Sequence, residues 1–188
     1  DAYILNTCSI TAEADKKSRQ LVAKAARFNP YAPVYICGCS SQYASEQYKN
    51  RPNVRLISGT AGKNAFVEHI MSDITGQKRN AEADDSVKSL PVCYEDDLLP
   101  EATRTRAYIK IQDGCNNFCS YCIVPYLRGR SRSRPVESVL AEARTAATVS
   151  RELVLTGINL SAYGKDIGSD LETLIWALAD IDARKRLG

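Results

Sequence analysis

The sequence is poor in histidine, methionine and tryptophan, with one of each among 188 residues, and it contains no long apolar run. Because a membrane-spanning helix needs roughly 20 consecutive apolar residues, the sequence predicts no such helix and no membrane partner. The first residues also lack the basic and then apolar pattern of a secretory signal, so we expect a cytoplasmic protein. The single histidine, His69, leaves no recognisable Ser-His-Asp arrangement, and we assign it no role.

Cysteine, by contrast, is frequent. The chain has seven cysteines, an odd number, which in a reducing cytosol favours metal ligands over a disulfide framework. The remaining composition, 44% hydrophobic and 25% charged residues, is typical of a globular protein that can bury a core. The cysteines are therefore the main indication of function.

Charge is unevenly distributed along the chain, although the formal net charge is only +3. The segment from Glu82 to Glu101 is acidic. It is followed by basic residues that flank a run of cysteines, namely Arg104, Arg106, Lys110, Arg128, Arg130, Arg132 and Arg134. These residues predict a surface that attracts anions. A solvated charged face without a ligand is the alternative that the sequence leaves open.

Short apolar runs alternate with helical patterns, which is typical of β-α-β units and a mainly parallel sheet. The predicted strands are Tyr3–Leu5, Val34–Cys37, Val54–Ile57, Ala107–Ile111 and Glu152–Leu155. The predicted helices are about 11–27, 45–49, 62–74, 135–147 and 170–183. Residues 77–103 are polar and acidic and predict a linker, with a short hairpin near Val92. The chain begins inside a strand pattern and stops after a helical one, so we expect it to be truncated at both ends.

Three cysteines, Cys115, Cys119 and Cys122, follow the fourth predicted strand at the spacing C-x-x-x-C-x-x-C. Iron–sulfur clusters ordinarily take four thiolates, so three from one loop leave one iron open to a ligand that is not protein. A structural zinc site is the alternative, but it needs a fourth Cys or His close by. The strand before the run favours the iron–sulfur site.

Two further cysteines, Cys8 and Cys39, come just after the first and second predicted strands. Ligands gather at the carboxyl edge of a parallel sheet, so these thiols predict a second metal site. Cys37 is a possible rival, but a cysteine within a strand is more often a small buried hydrophobe, and we favour Cys39. We predict that Cys93, in the linker, is not a ligand.

The cysteine run resembles the cluster-binding loop of the radical S-adenosylmethionine superfamily. In that superfamily the amino and carboxylate groups of the cofactor chelate the open iron, and one electron breaks a carbon–sulfur bond to give a deoxyadenosyl radical. Tyr121, the aromatic residue before Cys122, fits the same pattern and is expected to lie along the adenine. The turn after the fifth strand is rich in backbone donors, and we expect its residues Thr156, Gly157 and Asn159 to contact the cofactor.

Longer runs resemble the methylthiotransferases of this superfamily. They are Asn6–Thr11, Ala14–Gln20, Gly38–Gln42, Ile109–Cys115, Cys122–Arg134, Leu155–Gly157 and Tyr163–Gly164. The resemblance implies an α/β fold with an amino-terminal methylthiotransferase domain over residues 1–76 that lacks its first strand, then the linker. Residues 104–188 would be the start of a partial radical (β/α) barrel.

Such a resemblance implies a transferase that inserts sulfur and a methyl group into a carbon–hydrogen bond. It implies two 4Fe-4S clusters and S-adenosylmethionine, the second cluster being held by three cysteines. Cys8 and Cys39 match two of these, and the third would precede Asp1. An electron donor, a reductase or a flavodoxin- or ferredoxin-type protein, is also implied.

Within that family the chain resembles most the bacterial enzymes that modify threonylcarbamoyladenosine beside the anticodon of tRNA. We therefore expect tRNA as the partner, with Arg128, Arg130, Arg132 and Arg134 neutralising its phosphates. Relatives that act on isopentenyladenosine in tRNA, or on an aspartate of a ribosomal protein, are alternatives. An alternative of another class is a zinc-stabilised nucleic-acid-binding module without catalysis.

Overall fold

The computed structural model of the chain describes residues 1–51, 53–76, 89–95 and 105–181, and the backbone of residues 186–187. These form two compact units. The first combines Asp1–Pro91 with Cys119–Arg128, and the second combines Val92–Phe118 with Gly129–Gly188. Most of the predicted acidic linker, and Arg104, lie outside the described residues. In the part that is described, no helix is both long enough and apolar enough to cross a membrane.

The first unit is built on a parallel three-stranded sheet in the order β1-β2-β3. Its elements are β1 Tyr3–Thr7, α1 Ala12–Phe28, β2 Val34–Gly38, α2 Cys39–Ala44, α3 Glu46–Lys49, β3 Val54–Ile57, α4 Lys63–Thr75 and the later helix α5 Val124–Leu127. The central strand β2 is buried along its whole length. The predicted βαβ pattern and parallel sheet are therefore confirmed.

Strand alternation sends the side chains of β2 into two separate cores. Val34 and Ile36 contact a cluster that includes Val22 of α1, whereas Tyr35 packs with Phe66 of α4. The period of two that defines a strand thus explains why α1 and α4 cover opposite faces of the sheet. Helix α1 begins where the sequence predicts, because the Thr11 side chain accepts a hydrogen bond from the backbone of Ala14.

The second unit contains a parallel sheet in the order β4-β7-β8 and a short antiparallel pair, β5 with β6. Its elements are β4 Arg106–Lys110, β5 Gln112–Asp113, β6 Arg132–Ser133, α6 Val136–Val149, β7 Glu152–Thr156, a 3₁₀ turn Leu160–Ala162, α7 Leu171–Ala179 and β8 Arg186–Leu187. Ile109, Val139, Leu153 and Leu174 are among the buried side chains of its core. This β-α-β unit also matches the prediction.

Some elements differ from the sequence-based expectation. Helix α2 was not predicted, because six residues are too few to show a helical period. The hairpin expected near Val92 is wrong for the described residues 89–95, which contain no strand. Helix α7 ends at Ala179, earlier than predicted, and residues 182–185 lie outside the described part of the chain. The predicted domain boundaries at 76 and 104 stay predictions.

Candidate metal centre

Cys8 and Cys39 occupy equivalent places on neighbouring strands. Thr7 and Gly38 are partners in the β1–β2 register and are the last residues of their strands. Each cysteine is the residue that follows, so the parallel register puts the two at the same carboxyl edge of the sheet. Cys39 is fully buried and Cys8 is half-buried. The adjacency on which the second predicted site depends is therefore present in the backbone.

Helix α1 holds the loop that carries Cys8. The backbone N–H of Cys8 donates to the Ser18 hydroxyl at 3.0 Å. The same hydroxyl lies 3.1 Å from the carbonyl oxygen of Cys8 and 2.9 Å from that of Ala14, and it can donate to one of them at a time. Ser18 is buried, so these bonds are shielded from water. The Ala14–Gln20 run, which is part of the resemblance in the sequence, thus has a local structural role.

The start of α2, where Cys39 lies, is tied to α1 as well. Ser40 donates to the Asp15 carboxylate at 2.5 Å and lies 2.6 Å from the Tyr48 hydroxyl. The Thr7 hydroxyl donates to the carbonyl oxygen of Cys37 at 2.7 Å. Gly38 has φ of 105°, and a Cβ there would lie 2.3 Å from the Thr7 carbonyl oxygen. Glycine is therefore required directly before Cys39.

Cys37 is buried in the core between β2 and α4, with Tyr35, Phe66 and Ile70. Its thiol is 3.8 Å from the Asn6 side-chain oxygen. Burial raises the pKa of the Cys37 thiol, an effect that nearby Lys63 opposes. The burial of Cys37 is what we expect of a cysteine that acts as a small buried hydrophobe. Cys93 is exposed.

Cys115 lies in the second unit, on a turn that follows β5. Its backbone N–H donates to the Gly129 carbonyl oxygen at 3.1 Å, and the residue is 9% exposed. Gly114 has φ of 72°, and a Cβ there would lie 2.0 Å from the Arg130 carbonyl oxygen. Its N–H donates to the Asp113 carboxylate at 2.8 Å. Only glycine allows the two chain segments to approach this closely.

Cys119 and Cys122 belong to the first unit and are half-buried. The backbone N–H of Cys122 donates to the Cys119 carbonyl oxygen at 2.9 Å, so the two thiols are carried by one tight turn. All seven cysteines are free of disulfides. Within the described residues, no three or more Cys, His, Asp or Glu side chains are grouped closely enough to hold a metal ion. The free thiols fit an iron–sulfur cluster by donor chemistry.

Gln112 was not singled out as a site residue, although its side chain links the cysteine turn to the end of β7. It is fully buried. Its amide nitrogen lies 2.9 Å from the Asp113 carbonyl oxygen and 2.8 Å from that of Gly114, and its amide oxygen accepts from the backbone of Asn159 at 2.8 Å. The only signal in the sequence was a polar residue at the end of an apolar strand.

The predicted cofactor contacts fall into two places. Thr156 pairs with Lys110 at the carboxyl end of the sheet, and Gly157 and Asn159 follow it beside Gln112; a Cβ on Gly157 would lie 3.1 Å from the Gln112 side chain. Tyr121 is 90% exposed. These positions are compatible with a ligand at the strand ends, and the assignments stay predictions.

The four predicted RNA contacts differ in exposure. Arg130 is exposed, and its guanidinium lies 4.3 Å from the centre of the Phe118 ring. Arg128 is half-buried, with its Nε 3.1 Å from the Cys39 sulfur. Arg132 and Arg134 are 6% and 4% exposed.

Two of the four predicted RNA contacts, Arg132 and Arg134, differ from the prediction. Arg132 forms an ion pair with Asp113 at 3.4 Å, and Arg134 forms one with Glu142. Because buried charges require such partners, the two guanidinium groups serve the interior of the second unit. They are not placed to neutralise phosphates, and Arg130 remains the exposed candidate.

Comparisons with known proteins match the two ends of the chain to two different families. Residues 1–59 match the model described as "Uncharacterized protein family UPF0004", and residues 109–186 match the "Radical SAM superfamily". The threonylcarbamoyladenosine tRNA methylthiotransferase MtaB of Bacillus subtilis is 36% identical over 168 residues, which cover 89% of this chain and 37% of that protein. The MtaB of Thermotoga maritima is 36% identical over 189 residues, which cover 98% of this chain and 42% of that protein.

A third relative carries a different name. The tRNA-2-methylthio-N(6)-dimethylallyladenosine synthase of Pelotomaculum thermopropionicum is 36% identical over 201 residues, which cover 100% of this chain and 43% of that protein. The chain thus spans well under half the length of these curated relatives. Both domain types are present in the predicted order, and the chain belongs to the radical S-adenosylmethionine methylthiotransferase family.

Proposed function

We propose that this chain provides the cluster-binding part of an enzyme that methylthiolates a tRNA adenosine beside the anticodon. The observation that carries the proposal is the presence of two groups of cysteines in one chain. One is the C-x-x-x-C-x-x-C run after the first strands of the radical domain, and the other is the paired strand ends with Cys8 and Cys39. The names of the relatives supply the reaction class.

Cys115, Cys119 and Cys122 would hold the first cluster. Membership of the radical superfamily implies a 4Fe-4S cluster and S-adenosylmethionine, which together supply a radical able to remove a hydrogen atom from an unactivated carbon. The chain's own contribution is positioning. Gln112 fixes the turn that carries Cys115 to the residues after β7, where backbone donors near Gly157 would bind the polar groups of the cofactor.

Cys8 and Cys39 would provide two thiolates of a second cluster, which we associate with sulfur insertion. Ser18 and Ser40 hold the backbone on either side of these ligands. Ser18 is a residue of α1, and Ser40 bonds to Asp15 of α1. A single helix therefore holds both strand ends. Cys37 lies in the core cluster with Tyr35 and Phe66 and would not take part.

The proposed substrate is threonylcarbamoyladenosine in tRNA, with dimethylallyladenosine as the second candidate because a relative of equal identity carries that name. An adenosine in the anticodon loop is already unpaired, so an enzyme can reach it without opening a duplex. Arg130 would contact a phosphate. The reaction would take place in the cytoplasm and would need a reductase or a flavodoxin- or ferredoxin-type protein as electron donor.

Metal content tests the class of the protein. We expect iron and acid-labile sulfide in anaerobically reconstituted protein, with a visible absorption that dithionite bleaches. Cys119→Ala should abolish assembly of the first cluster, and Cys93→Ala, at an exposed cysteine, should leave it unchanged. Stoichiometric zinc without sulfide would instead support a zinc-stabilised nucleic-acid-binding module.

A second pair of variants tests the ligands of the second cluster. Cys39→Ala should remove that cluster from the reconstituted complete enzyme, whereas Cys37→Ala should retain it, because Cys37 belongs to the core cluster that contains Tyr35 and Phe66. Iron per chain and the electron paramagnetic resonance spectrum distinguish them. Loss of the cluster in Cys37→Ala alone would mean that the ligand assignment has to be exchanged.

Substrate choice is tested on the complete enzyme with the two modified tRNAs as separate substrates. Mass spectrometry of the digested nucleosides should show the methylthio product from threonylcarbamoyladenosine. A product from dimethylallyladenosine alone would favour the second candidate. Arg130→Glu should weaken tRNA binding more at low salt than at high salt, since phosphate contacts are screened by salt.

A further inference from the structure

We propose that Arg128 is a positioning residue for Cys39 and raises the reduction potential of the second cluster by donating a hydrogen bond to this ligand. The inference rests on the proposed function, because it assumes that Cys39 binds a cluster. It assigns Arg128 a role different from the phosphate contact that the sequence predicts. The sequence could not indicate this role, because 89 residues separate the two side chains.

The contact itself is short and buried on one side. Arg128 Nε lies 3.1 Å from Cys39 Sγ, and Cys39 has no exposed surface. A guanidinium remains charged at all ordinary pH values. Hydrogen bonds from a charged donor are about twice as strong as neutral ones, and more so where water is excluded. The hydrogen bond is therefore well placed to change the electron density on Cys39 Sγ.

Arg128 is held in place by its surroundings in the first unit. Its backbone N–H caps α5 by donating to the Val124 carbonyl oxygen at 2.8 Å. The preceding carbonyl, that of Leu127, accepts from the Thr60 hydroxyl at 2.6 Å. Thr60 in turn donates its backbone N–H to the Gln42 side chain at 3.0 Å. Gln42 lies on α2, the helix that begins with Cys39, so the chain of contacts closes on the ligand.

Two physical effects of this contact have the same sign. A hydrogen bond to a ligating sulfur and a nearby positive charge both stabilise the more negative, reduced state of a cluster, and both raise its reduction potential. The other side chains near Cys39, Ser40 and Thr7, bond to oxygen and nitrogen atoms. Among the hydrogen bonds that we describe, the one from Arg128 alone reaches this sulfur.

Arg128 also lies six residues after Cys122, within the Cys119–Arg128 segment that belongs to the first unit. The segment that carries two ligands of the first cluster therefore ends at a donor to the second. A shift of this segment would change the Arg128–Cys39 contact directly.

The contact can be tested without any metal. Nitrogen-15 spectra of the metal-free chain should show an Arg128 Nε–H that exchanges slowly with solvent. In Cys39→Ala the exchange should become about tenfold faster, the change expected for loss of one hydrogen bond of ordinary strength. Cys37→Ala is the matched control, since that thiol is also buried and bonds to Asn6. Equal exchange in wild type and Cys39→Ala would overturn the contact.

The effect of Arg128 on the cluster is tested by measuring the reduction potential of the cluster. We would measure it in a Cys119→Ala variant of the complete enzyme, in which the second cluster alone is expected. Arg128→Gln should lower the midpoint potential, and Arg128→Lys, which keeps the charge without the planar donor, should lower it less. Arg27→Gln is the control, because it also removes one positive charge from the first unit and this side chain is exposed in the last turn of α1.

An unchanged potential in Arg128→Gln, with iron and sulfide retained, would overturn the inference and leave the proposed function intact. Iron and sulfide missing from the Cys119→Ala background would instead overturn the second cluster, and the inference with it. Since metal content is measured before the potential, the two failures are distinguishable. A purely structural role for Arg128 would reduce cluster occupancy without shifting the potential of the clusters that remain.

Discussion

The turns at Cys39 in the first unit and at Cys115 in the second each follow a glycine that lies against a backbone carbonyl, Gly38 and Gly114, but they differ in their other contacts. Around Cys39 and its neighbour Cys8, side-chain hydroxyls and a carboxylate tie the loops to α1. Around Cys115, the backbone of Gly114 lies directly against the Arg130 carbonyl, and its N–H is bonded to Asp113. Both turns depend on one close approach of the backbone, and the first depends in addition on several separate hydrogen bonds.

This difference determines how each turn should respond to substitution. A single hydrogen bond contributes about 1 kcal/mol, and a neighbour or water can replace part of it. A backbone approach that leaves no space for a Cβ cannot adapt in this way, because the obstacle is another backbone carbonyl. Substitution of the glycine in either turn should therefore cost more than substitution of a side chain that donates or accepts a single hydrogen bond.

The largest effect is expected for Gly114→Ala. A Cβ would lie 2.0 Å from the Arg130 carbonyl oxygen at a residue with φ of 72°, and we expect a loss of about 3 kcal/mol in the free energy of unfolding. Urea unfolding of the metal-free chain, followed by circular dichroism, measures it. Gly168→Ala is the matched control, with φ of 67° and no atom within 4 Å of the added Cβ.

In the control only the backbone strain remains, so we expect a loss of about 1 kcal/mol. If the two glycine variants lost the same stability, the close approach would contribute nothing, and the contrast between close approaches and hydrogen bonds would fail. Assembly of the first cluster should fall in Gly114→Ala and stay normal in Gly168→Ala.

The next effect is expected for Gln112→Ala. The amide of this buried side chain bonds to Gly114 on one side and to Asn159 on the other, and its removal leaves buried backbone groups without a partner. We expect a loss of about 2 kcal/mol, measured by the same unfolding experiment. Gln20→Ala, at an exposed position on α1, should change stability little. A smaller loss of stability in Gln112→Ala than in Ser18→Ala would contradict this order of effects.

The sequence predicted the five longer strands and most helices, because apolar periodicity and capping residues such as Thr11 are local signals. It did not predict the two-residue strands β5, β6 and β8. It also predicted that Cys8 and Cys39 follow strands, and the strand register needed for them to be neighbours is present. What could not be predicted depends on contacts between distant residues. Arg132 resembled its exposed neighbour Arg130 in the sequence, but it is buried with Asp113.

A smaller effect is expected for Ser18→Ala. The variant leaves the backbone N–H of Cys8 without its 3.0 Å acceptor, and we expect a loss of about 1.5 kcal/mol in the free energy of unfolding. The Cys8 loop should also loosen, so that iodoacetamide modifies Cys8 faster in the metal-free protein. If stability and modification rate both stayed at their wild-type values, α1 would not be holding this loop.

The smallest effect is expected for Ser9→Ala, which sharpens the contrast with Ser18. The Ser9 hydroxyl oxygen is buried, and among the described residues it has no hydrogen-bond partner. Since an unpaired buried hydroxyl is itself unfavourable, its removal should leave stability within about 0.5 kcal/mol of wild type or raise it slightly. Both serines lie beside the same cysteine, so a comparison of the two alanine variants in urea separates bonding from proximity. A loss in Ser9→Ala as large as that in Ser18→Ala would mean that proximity to Cys8, and not the hydrogen bond, determines the cost.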